Sequence, residues 1–125
     1  MLKTRRNIIK LIAEVRIPGR SFKAGEIIFR EGVAGEEAFV IKRGRVNISV
    51  DGHDLDQLGE NELFGEMALV DKNARAATAV AATDVELTPI GEKEFLYLVD
   101  ETPFFALTVM QIMAERLRKQ NKLGA

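Results

Sequence analysis

The chain is organised around two neighbouring stretches, Phe64-Gly65-Glu66-Met67-Ala68-Leu69-Val70 and Arg75-Ala76-Ala77-Thr78. Glu66 and Arg75 are nine residues apart, with a short apolar run and a turn between them. A glycine before such a run lets the backbone turn, and the free amides at a helix start favour an anion. The pattern predicts a loop that grips a phosphate, with a separate acceptor for a sugar hydroxyl.

The two charged residues have different chemical uses. The guanidinium of Arg75 is a rigid, permanently charged fork that matches two phosphate oxygens. The ionised carboxylate of Glu66 only accepts, so it suits a hydroxyl such as a ribose 2′-OH and would repel a phosphate. Taken alone, Glu66 could be a helix-capping acid and Arg75 a solvated surface residue. Their joint occurrence beside small residues favours a binding site.

Length and composition limit the function classes. A chain of 125 residues is expected to form one domain, residues 1–125. It has no cysteine, one histidine and a net charge of −1. Clustered metal ligands and Ser-His-Asp or Cys-His catalysis are therefore unsupported, as is bulk attraction to nucleic acid or membrane. No apolar run could span a bilayer. We expect a cytoplasmic protein that is not an enzyme and binds no metal.

Short alternating segments punctuated by glycine fill the region from about residue 20 to 90. In the run Arg45–Val50 the valines and Ile48 share one face and Asn47 and Ser49 the other, which is the pattern of a half-buried strand. Asp51-Gly52 is a hairpin signal. Further strands are predicted at 26–29, 38–41, 54–58, 78–82 and 85–90. Many short strands at regular spacing predict a jelly-roll β-barrel of about eight strands.

Helical patterns flank this barrel, so the fold class is mainly β with flanking helices. An amphipathic helix is predicted at the N-terminus, with apolar positions from Ile8 to Val15, and Pro18-Gly19 ends it. It would pack on the next element or a second subunit, and membrane-surface binding is the weaker alternative. Two C-terminal helices are predicted over about residues 92–122. The second starts after Thr102-Pro103 and carries an apolar stripe: Phe104, Leu107, Met110 or Gln111, Ala114, Leu117 and Asn121.

The central stretch, residues 64–78, resembles the phosphate-binding cassette of the cyclic nucleotide-binding domain family. That cassette has Phe-Gly-Glu, small and apolar residues, a turn, and then Pro-Arg-Ala-Ala or Pro-Arg-Ser-Ala. Residues 22–26, 29–32 and 41–46 are similar to the glycine-punctuated barrel of the family, so the resemblance covers nearly the whole chain. The closing helices resemble those of the bacterial catabolite activator branch.

The resemblance implies a ligand, cAMP or cGMP, and a set of binding residues. Glu66 would take the ribose 2′-OH, Arg75 the cyclic phosphate, and backbone amides of the loop would complete the anion site. The implied site comprises Phe64, Gly65, Glu66, Met67, Ala68, Arg75, Ala76 and Ala77, with the amides of Ala68, Ala76 and Ala77 on the phosphate. Ala74 departs from the usual proline, which loosens the turn before Arg75 and implies weaker affinity.

Base recognition is implied to come from the C-terminal helix. The cGMP-selective kinases of the family commonly have threonine where Ala76 stands, so Ala76 favours cAMP. By the match to the long helix of the activators, the lid and base contacts would come from Leu117, Arg118, Gln120 and Asn121. Leu117 could instead belong to the core or a dimer seam.

Together these features predict a regulatory sensor module that signals by moving its C-terminal helix. The resembling activators carry a helix-turn-helix after that helix, and this chain ends at Ala125, so no direct DNA binding is expected. We expect a complete small protein acting on an unknown effector in trans, with a homodimer through the C-terminal helix as a further option. The alternatives are a ligand-sensing fragment of a transcription regulator and a degenerate barrel that mediates protein association without binding nucleotide.

Overall fold

A computed structural model of the chain describes residues 16–124, with side chains through residue 119. Within these residues it has eight strands and three helices. The strands are β1 Arg20–Phe22, β2 Ile27–Phe29, β3 Ala38–Arg43, β4 Val46–Val50, β5 His53–Leu58, β6 Leu63–Phe64, β7 Thr78–Ala81 and β8 Val85–Ile90. The helices are α1 Met67–Val70, α2 Glu92–Glu101 and α3 Phe104–Gly124.

The strands form two antiparallel four-stranded sheets. One sheet has the order β1-β8-β3-β6 and the other β2-β7-β4-β5. The hairpin between β4 and β5 turns at Asp51 and Gly52, whose φ values of 52° and 78° are those of the turn that best fits the twist of a two-residue hairpin. The predicted jelly-roll of eight strands, closed by two helices, is confirmed.

Strand β3 is buried on both faces, and this links the two hydrophobic cores. Successive side chains of a strand point to opposite faces. Phe39 and Ile41 therefore pack inside the roll with Phe64 and Leu87. Ala38 and Val40 face the other way, into a second core formed with α2 and α3. The helical residues of this second core are Leu98, Phe105, Val109 and Ile112.

The short strands β1 and β6 were not predicted as strands. Each has three residues or fewer and is defined by its partner, since Arg20–Phe22 pairs with β8 and Leu63–Phe64 pairs with β3. Too few residues alternate for a period to appear in the sequence. By contrast, β8 has the predicted bounds, and β4 begins one residue after the predicted start at Arg45. The predicted N-terminal helix lies outside the described residues.

Between residues 16 and 124, no single helix has the length and apolarity needed to cross a membrane. Only α2 and α3 taken together reach that composition, and the chain bends by 120° between them.

Candidate functional site

The loop from β6 through α1 to β7 carries the predicted site. Gly65 joins β6 to α1 with a φ of 73°, a conformation that side chains rarely adopt. A Cβ atom on Gly65 would also lie 2.9 Å from Nη1 of Arg75. Two features therefore require glycine at position 65: the positive φ of the turn and the close approach of Arg75.

Glu66 is buried, with 5% of its surface exposed. It stands at the N-cap position of α1, but its side chain makes no capping hydrogen bond. Its carboxylate instead forms an ion pair with Arg116 of α3, which also donates to the carbonyl oxygen of Leu63. The helix-capping explanation of Glu66 is thus wrong, and the carboxylate joins the loop to the C-terminal helix.

Arg116 was missed as a site residue. In the sequence it is one of several basic residues in the last turns of α3, where positive charge suits the helix dipole. Fifty positions separate it from Glu66, and no local pattern distinguishes it from Arg118 or Lys119. Its recognition would have required the packing angle of α3 on the barrel.

Arg75 is half-buried beneath the loop. Its guanidinium carbon lies 4.0 Å from the ring centre of Phe29, and its Nη1 donates to the carbonyl oxygen of Gly65 at 3.3 Å. Burial lowers the pKa of Arg75, and the charge of Glu37 acts in the opposite direction. A guanidinium nevertheless stays protonated in proteins. The explanation of Arg75 as a solvated surface residue is therefore wrong.

The Nε atom of Arg75 has no hydrogen-bond partner. Among the side chains described, it is the single buried nitrogen or oxygen atom in this condition. Buried polar groups are nearly always paired, because an unpaired one loses its hydration without compensation. Arg75 is thus a charged donor, held in place, with hydrogen-bonding capacity that the protein leaves unused.

A second loop, residues 32–35, fixes the backbone at Arg75. The Arg75 amide donates to the Val33 carbonyl at 2.9 Å, and the Gly32 amide donates to the Arg75 carbonyl at 2.8 Å. Ala34 and Ala74, each next to a residue of these bonds, form an isolated antiparallel bridge. The backbone around Ala74 is therefore held by pairing even though the usual proline is absent.

The predicted cassette residues, including Glu66 and Arg75, line a single pocket. The pocket encloses about 1010 Å³ of space between atoms, part of it open to solvent. All eight residues implied for the site line it: Phe64, Gly65, Glu66, Met67, Ala68, Arg75, Ala76 and Ala77. The remaining lining comes from Phe29, Ile48, Leu55, Asp56, Leu58, Asp71, Asn73, Ala74, Arg116 and Lys119.

The lid residues implied by the resemblance lie elsewhere or are not described. Leu117 and Arg118 are exposed and lie outside the pocket lining, whereas their neighbours Arg116 and Lys119 on α3 line it. The side chains of Gln120 and Asn121 lie outside the described residues. Base contact by Gln120 and Asn121 stays a prediction.

The pocket offers binding groups of both charges. A half-buried guanidinium and a buried carboxylate face one space, and residues 66–69 form the start of a short helix beside it. The amide of Ala68 donates to the Gly65 carbonyl over a long 3.3 Å. Within residues 16–124, no three His, Asp or Glu side chains lie close enough together to hold a metal ion.

Comparison with known proteins gives the family. A family model for the cyclic nucleotide-binding domain matches residues 19–102. A cyclic nucleotide-gated potassium channel of Rhizobium etli is 35% identical over 109 residues, covering 87% of this chain and 30% of the channel. The cyclic AMP receptor protein of Thermus thermophilus is 34% identical over 105 residues, covering 80% of this chain and 49% of the receptor.

A solved structure agrees with these sequence matches. The catabolite activator protein of Thermus thermophilus superposes with a TM-score of 0.79 at 30% identity, covering 93% of this chain and 56% of that one. The chain spans less than half the length of the two curated relatives. The family match, the eight-stranded roll and the intact cassette agree, and the chain belongs to the cyclic nucleotide-binding domain family.

Proposed function

We propose that this chain binds a 3′,5′-cyclic nucleotide monophosphate, with the phosphate at Arg75 and the ribose 2′-OH at Glu66. The observation that carries the proposal is the buried, unpartnered Nε of Arg75, held in the same pocket as a buried carboxylate. A phosphate oxygen supplies the acceptor that this nitrogen lacks, in a charge-assisted hydrogen bond. The amides of Ala68, Ala76 and Ala77 complete the phosphate contacts.

The favoured ligand is cAMP, with cGMP as the weaker alternative. Ala76 lacks the hydroxyl that cGMP-selective kinases of the family commonly place at this position. A relative named as a cyclic AMP receptor and another named as a cyclic nucleotide-gated channel support the ligand class. The role of the module is ligand sensing and not catalysis.

Signalling would pass through α3. Arg116 ties this helix to Glu66, and Lys119 ties it to Asp56 on β5 at 3.0 Å. A ligand hydroxyl at Glu66 changes the contacts of Arg116, so the ligand stabilises one position of α3 over another. Such differential contact is what a ligand needs to shift a conformational equilibrium. An effector protein would then recognise the repositioned helix.

Replacement of the proposed phosphate ligand tests the function. Titration calorimetry of the parent chain with cAMP should give saturable heat, and Arg75→Ala should weaken the affinity by about tenfold to a hundredfold, because a charge-assisted hydrogen bond contributes roughly 1.5–3 kcal/mol. Arg45→Ala is a matched control, since Arg45 is exposed and is not part of the pocket lining. Absence of both heat and a thermal shift at millimolar cAMP and cGMP would contradict the proposal.

The exposed apolar residues of α3 favour a second copy of this chain as a partner. Leu107, Met110 and Leu117 are large apolar residues on α3 and are 41%, 56% and 60% exposed. Their spacing, with Ala114 between the last two, alternates between three and four residues as in a coiled-coil seam. We include in the proposal a homodimer through this face of α3.

Light scattering would test this dimer. The parent chain should give twice the monomer mass at micromolar concentration, and Leu117→Lys should reduce it to the monomer mass because a charge would enter the seam. Leu96→Lys, an equally exposed leucine on α2, is the control and should leave the dimer intact. If the parent chain has the monomer mass, the proposed dimer is wrong, whereas the proposed ligand is unaffected.

A further inference from the structure

Three charged side chains outside the cassette line the pocket, and two of them, Asp56 and Lys119, pair with each other while Arg116 pairs with Glu66. Asp56 lies on β5 and Lys119 on α3, and their Oδ2 and Nζ atoms are 3.0 Å apart. The other carboxylate oxygen of Asp56 accepts a hydrogen bond from the amide of Gln57 at 2.9 Å, which orients the carboxylate. None of the proposed phosphate or ribose contacts uses this pair.

The geometry of α3 determines where the pair of Asp56 and Lys119 lies relative to the proposed ribose acceptor. Arg116 and Lys119 are three residues apart, so they lie on the same face of α3, separated by about 4.5 Å along its axis. Arg116 contacts Glu66, the proposed ribose acceptor. The pair of Asp56 and Lys119 therefore lies one step further along the helix from the ribose position.

A cyclic nucleotide would direct its base to this region. The phosphate closes on C3′ and C5′ of the ribose, whereas the base is attached at C1′, next to the carbon that bears the 2′-OH. With the phosphate at Arg75 and the 2′-OH at Glu66, the base points away from Arg75. Ile48, Leu55 and Leu58 line the pocket there and offer apolar surface to a purine face.

Of the remaining polar side chains outside the proposed phosphate and ribose contacts, Arg116 on α3 contacts Glu66, and Asp71 and Asn73 belong to the cassette loop. Asp71 and Asn73 follow α1, and the Asp71 carboxylate accepts a hydrogen bond from the Asn73 amide at 3.1 Å. This places them with the phosphate end of the pocket. Asp56 and Lys119 are the charged side chains that β5 and the far turn of α3 contribute to the lining.

We propose that Asp56 and Lys119 read the edge of the base and select adenine over guanine, an inference that rests on the proposed function. The edge of adenine presents the N6 amino donor beside the N7 acceptor, whereas the same edge of guanine presents two acceptors, O6 and N7. Asp56 accepts from the N6 amino group and Lys119 donates to N7. Guanine would still accept from Lys119 at N7, but it would place O6 against the Asp56 carboxylate, so that two acceptors face each other and the carboxylate loses the donor that N6 supplies.

The pair is free to exchange partners. The side chains of Asp56 and Lys119 are 32% and 49% exposed, and ion pairs at such positions contribute little to folding stability. Opening the pair to admit a base therefore has a small cost. A site built to hydrogen-bond one substrate group discriminates strongly against an analogue that lacks it, because the polar groups of the protein are then left unpaired.

The experiment compares four ligands by titration calorimetry on the full chain: cAMP, cGMP, the cyclic monophosphate of purine riboside, which lacks the N6 amino group, and 7-deaza-cAMP, which lacks N7. The parent should bind cAMP at least about tenfold tighter than the other three, the effect of one charge-assisted hydrogen bond. Asp56→Ala should bind cAMP and the purine riboside analogue equally. Lys119→Ala should bind cAMP and 7-deaza-cAMP equally.

Further variants sharpen the result. Asp56→Asn keeps the shape of the side chain and adds a donor for O6 of guanine, so it should narrow the preference for cAMP. Asp54→Ala, on the same strand as Asp56 and outside the pocket lining, should keep the parent ratios.

Two outcomes overturn the inference in distinguishable ways. In the first, all four ligands bind alike and still depend on Arg75, or Asp56→Ala keeps the parent ratio between the affinities for cAMP and for the purine riboside analogue. Base recognition by Asp56 and Lys119 is then wrong, and the proposed function stands. If none of the four binds, the proposed function and the inference both fall.

Discussion

At the scale of single residues, the site depends on how closely glycine lets the backbone approach Arg75. A Cβ atom at Gly35 would lie 2.1 Å from Nε of Arg75 and 2.4 Å from its Cζ. These are atoms of a flexible side chain, so an added methyl group displaces the guanidinium and leaves the backbone in place.

Gly35→Ala should therefore keep the fold and lose affinity for cyclic nucleotide, by about tenfold or more, as expected for removal of one charge-assisted contact. Calorimetry with cAMP measures the loss, and thermal unfolding measures the fold. Gly59→Ala is the matched control, since no atom lies within 4 Å of its added Cβ. In an Arg75→Ala background the second change at Gly35 should have little further effect, and a full additional loss would contradict this steric explanation.

The contact between Glu66 and Arg116 should stabilise the fold as well as the site. Arg116→Ala leaves a buried carboxylate without its ion-pair partner, which costs about 1–3 kcal/mol of unfolding free energy. Urea denaturation at neutral pH measures this value. Arg118→Ala removes an exposed charge two residues away and should change stability by no more than about 0.5 kcal/mol. Equal effects of the two changes would show that Glu66 is adequately solvated without Arg116.

At the scale of elements, the turn before β7 is held by the loop at residues 32–35. The hydrogen bonds next to the bridge at Ala74 use the amide and carbonyl of Arg75 and not the amide of Ala74. Proline at position 74 would consequently lose no bond of this clamp. The departure from the family pattern at Ala74 is compensated by pairing with a loop forty residues earlier in the chain.

Ala74→Pro should stabilise the loop by about 0.4–1 kcal/mol, by restricting the unfolded chain, and tighten cAMP binding up to about fivefold. Thermal unfolding and calorimetry measure the two effects. Asn73→Pro gives the contrast, because the Asn73 amide donates to Asp71 and would be lost. If Ala74→Pro destabilised the protein as much as Asn73→Pro, the clamp would require a backbone angle that proline cannot adopt.

At the scale of the whole molecule, α3 belongs to two different environments. Phe105, Val109 and Ile112 bury its first half in the core beneath β3. Arg116 and Lys119 then tie its next turns to the two walls of the pocket through polar contacts. Ligand-dependent movement should therefore be confined to the part of α3 beyond Ile112, because polar contacts at a pocket exchange more readily than buried apolar packing.

Spin labels can test this division, and the absence of native cysteine makes the labelling clean. Labels at Gln57→Cys and Arg118→Cys, both exposed, should change their distance on addition of cAMP. Labels at Lys93→Cys and Phe104→Cys, on α2 and the anchored start of α3 and both exposed, should keep theirs. A shift in the second pair with none in the first would contradict movement of the far turns alone.

Much of this fold follows from local pattern. The period of two in β4 and β8, the hairpin at Asp51-Gly52 and the helix start after Pro103 each lie within a few residues, so they can be recognised without knowledge of the fold. The cassette is equally local, because Gly65 to Ala77 form one loop between two adjacent elements. The strands β1 and β6 could not be recognised, because they are defined by pairing with β8 and β3.

The sequence by itself determined the barrel, its closing helices and the eight cassette residues that line one pocket. Only the tertiary structure decided which side of α3 faces that pocket, placing Arg116 at Glu66 and Lys119 at Asp56, and leaving Leu117 and Arg118 outside. The physical reason is distance along the chain. A loop and the strands beside it are fixed by neighbouring residues, whereas the rotation of α3 is fixed by Phe105, Val109 and Ile112 packing against strands far from it in sequence.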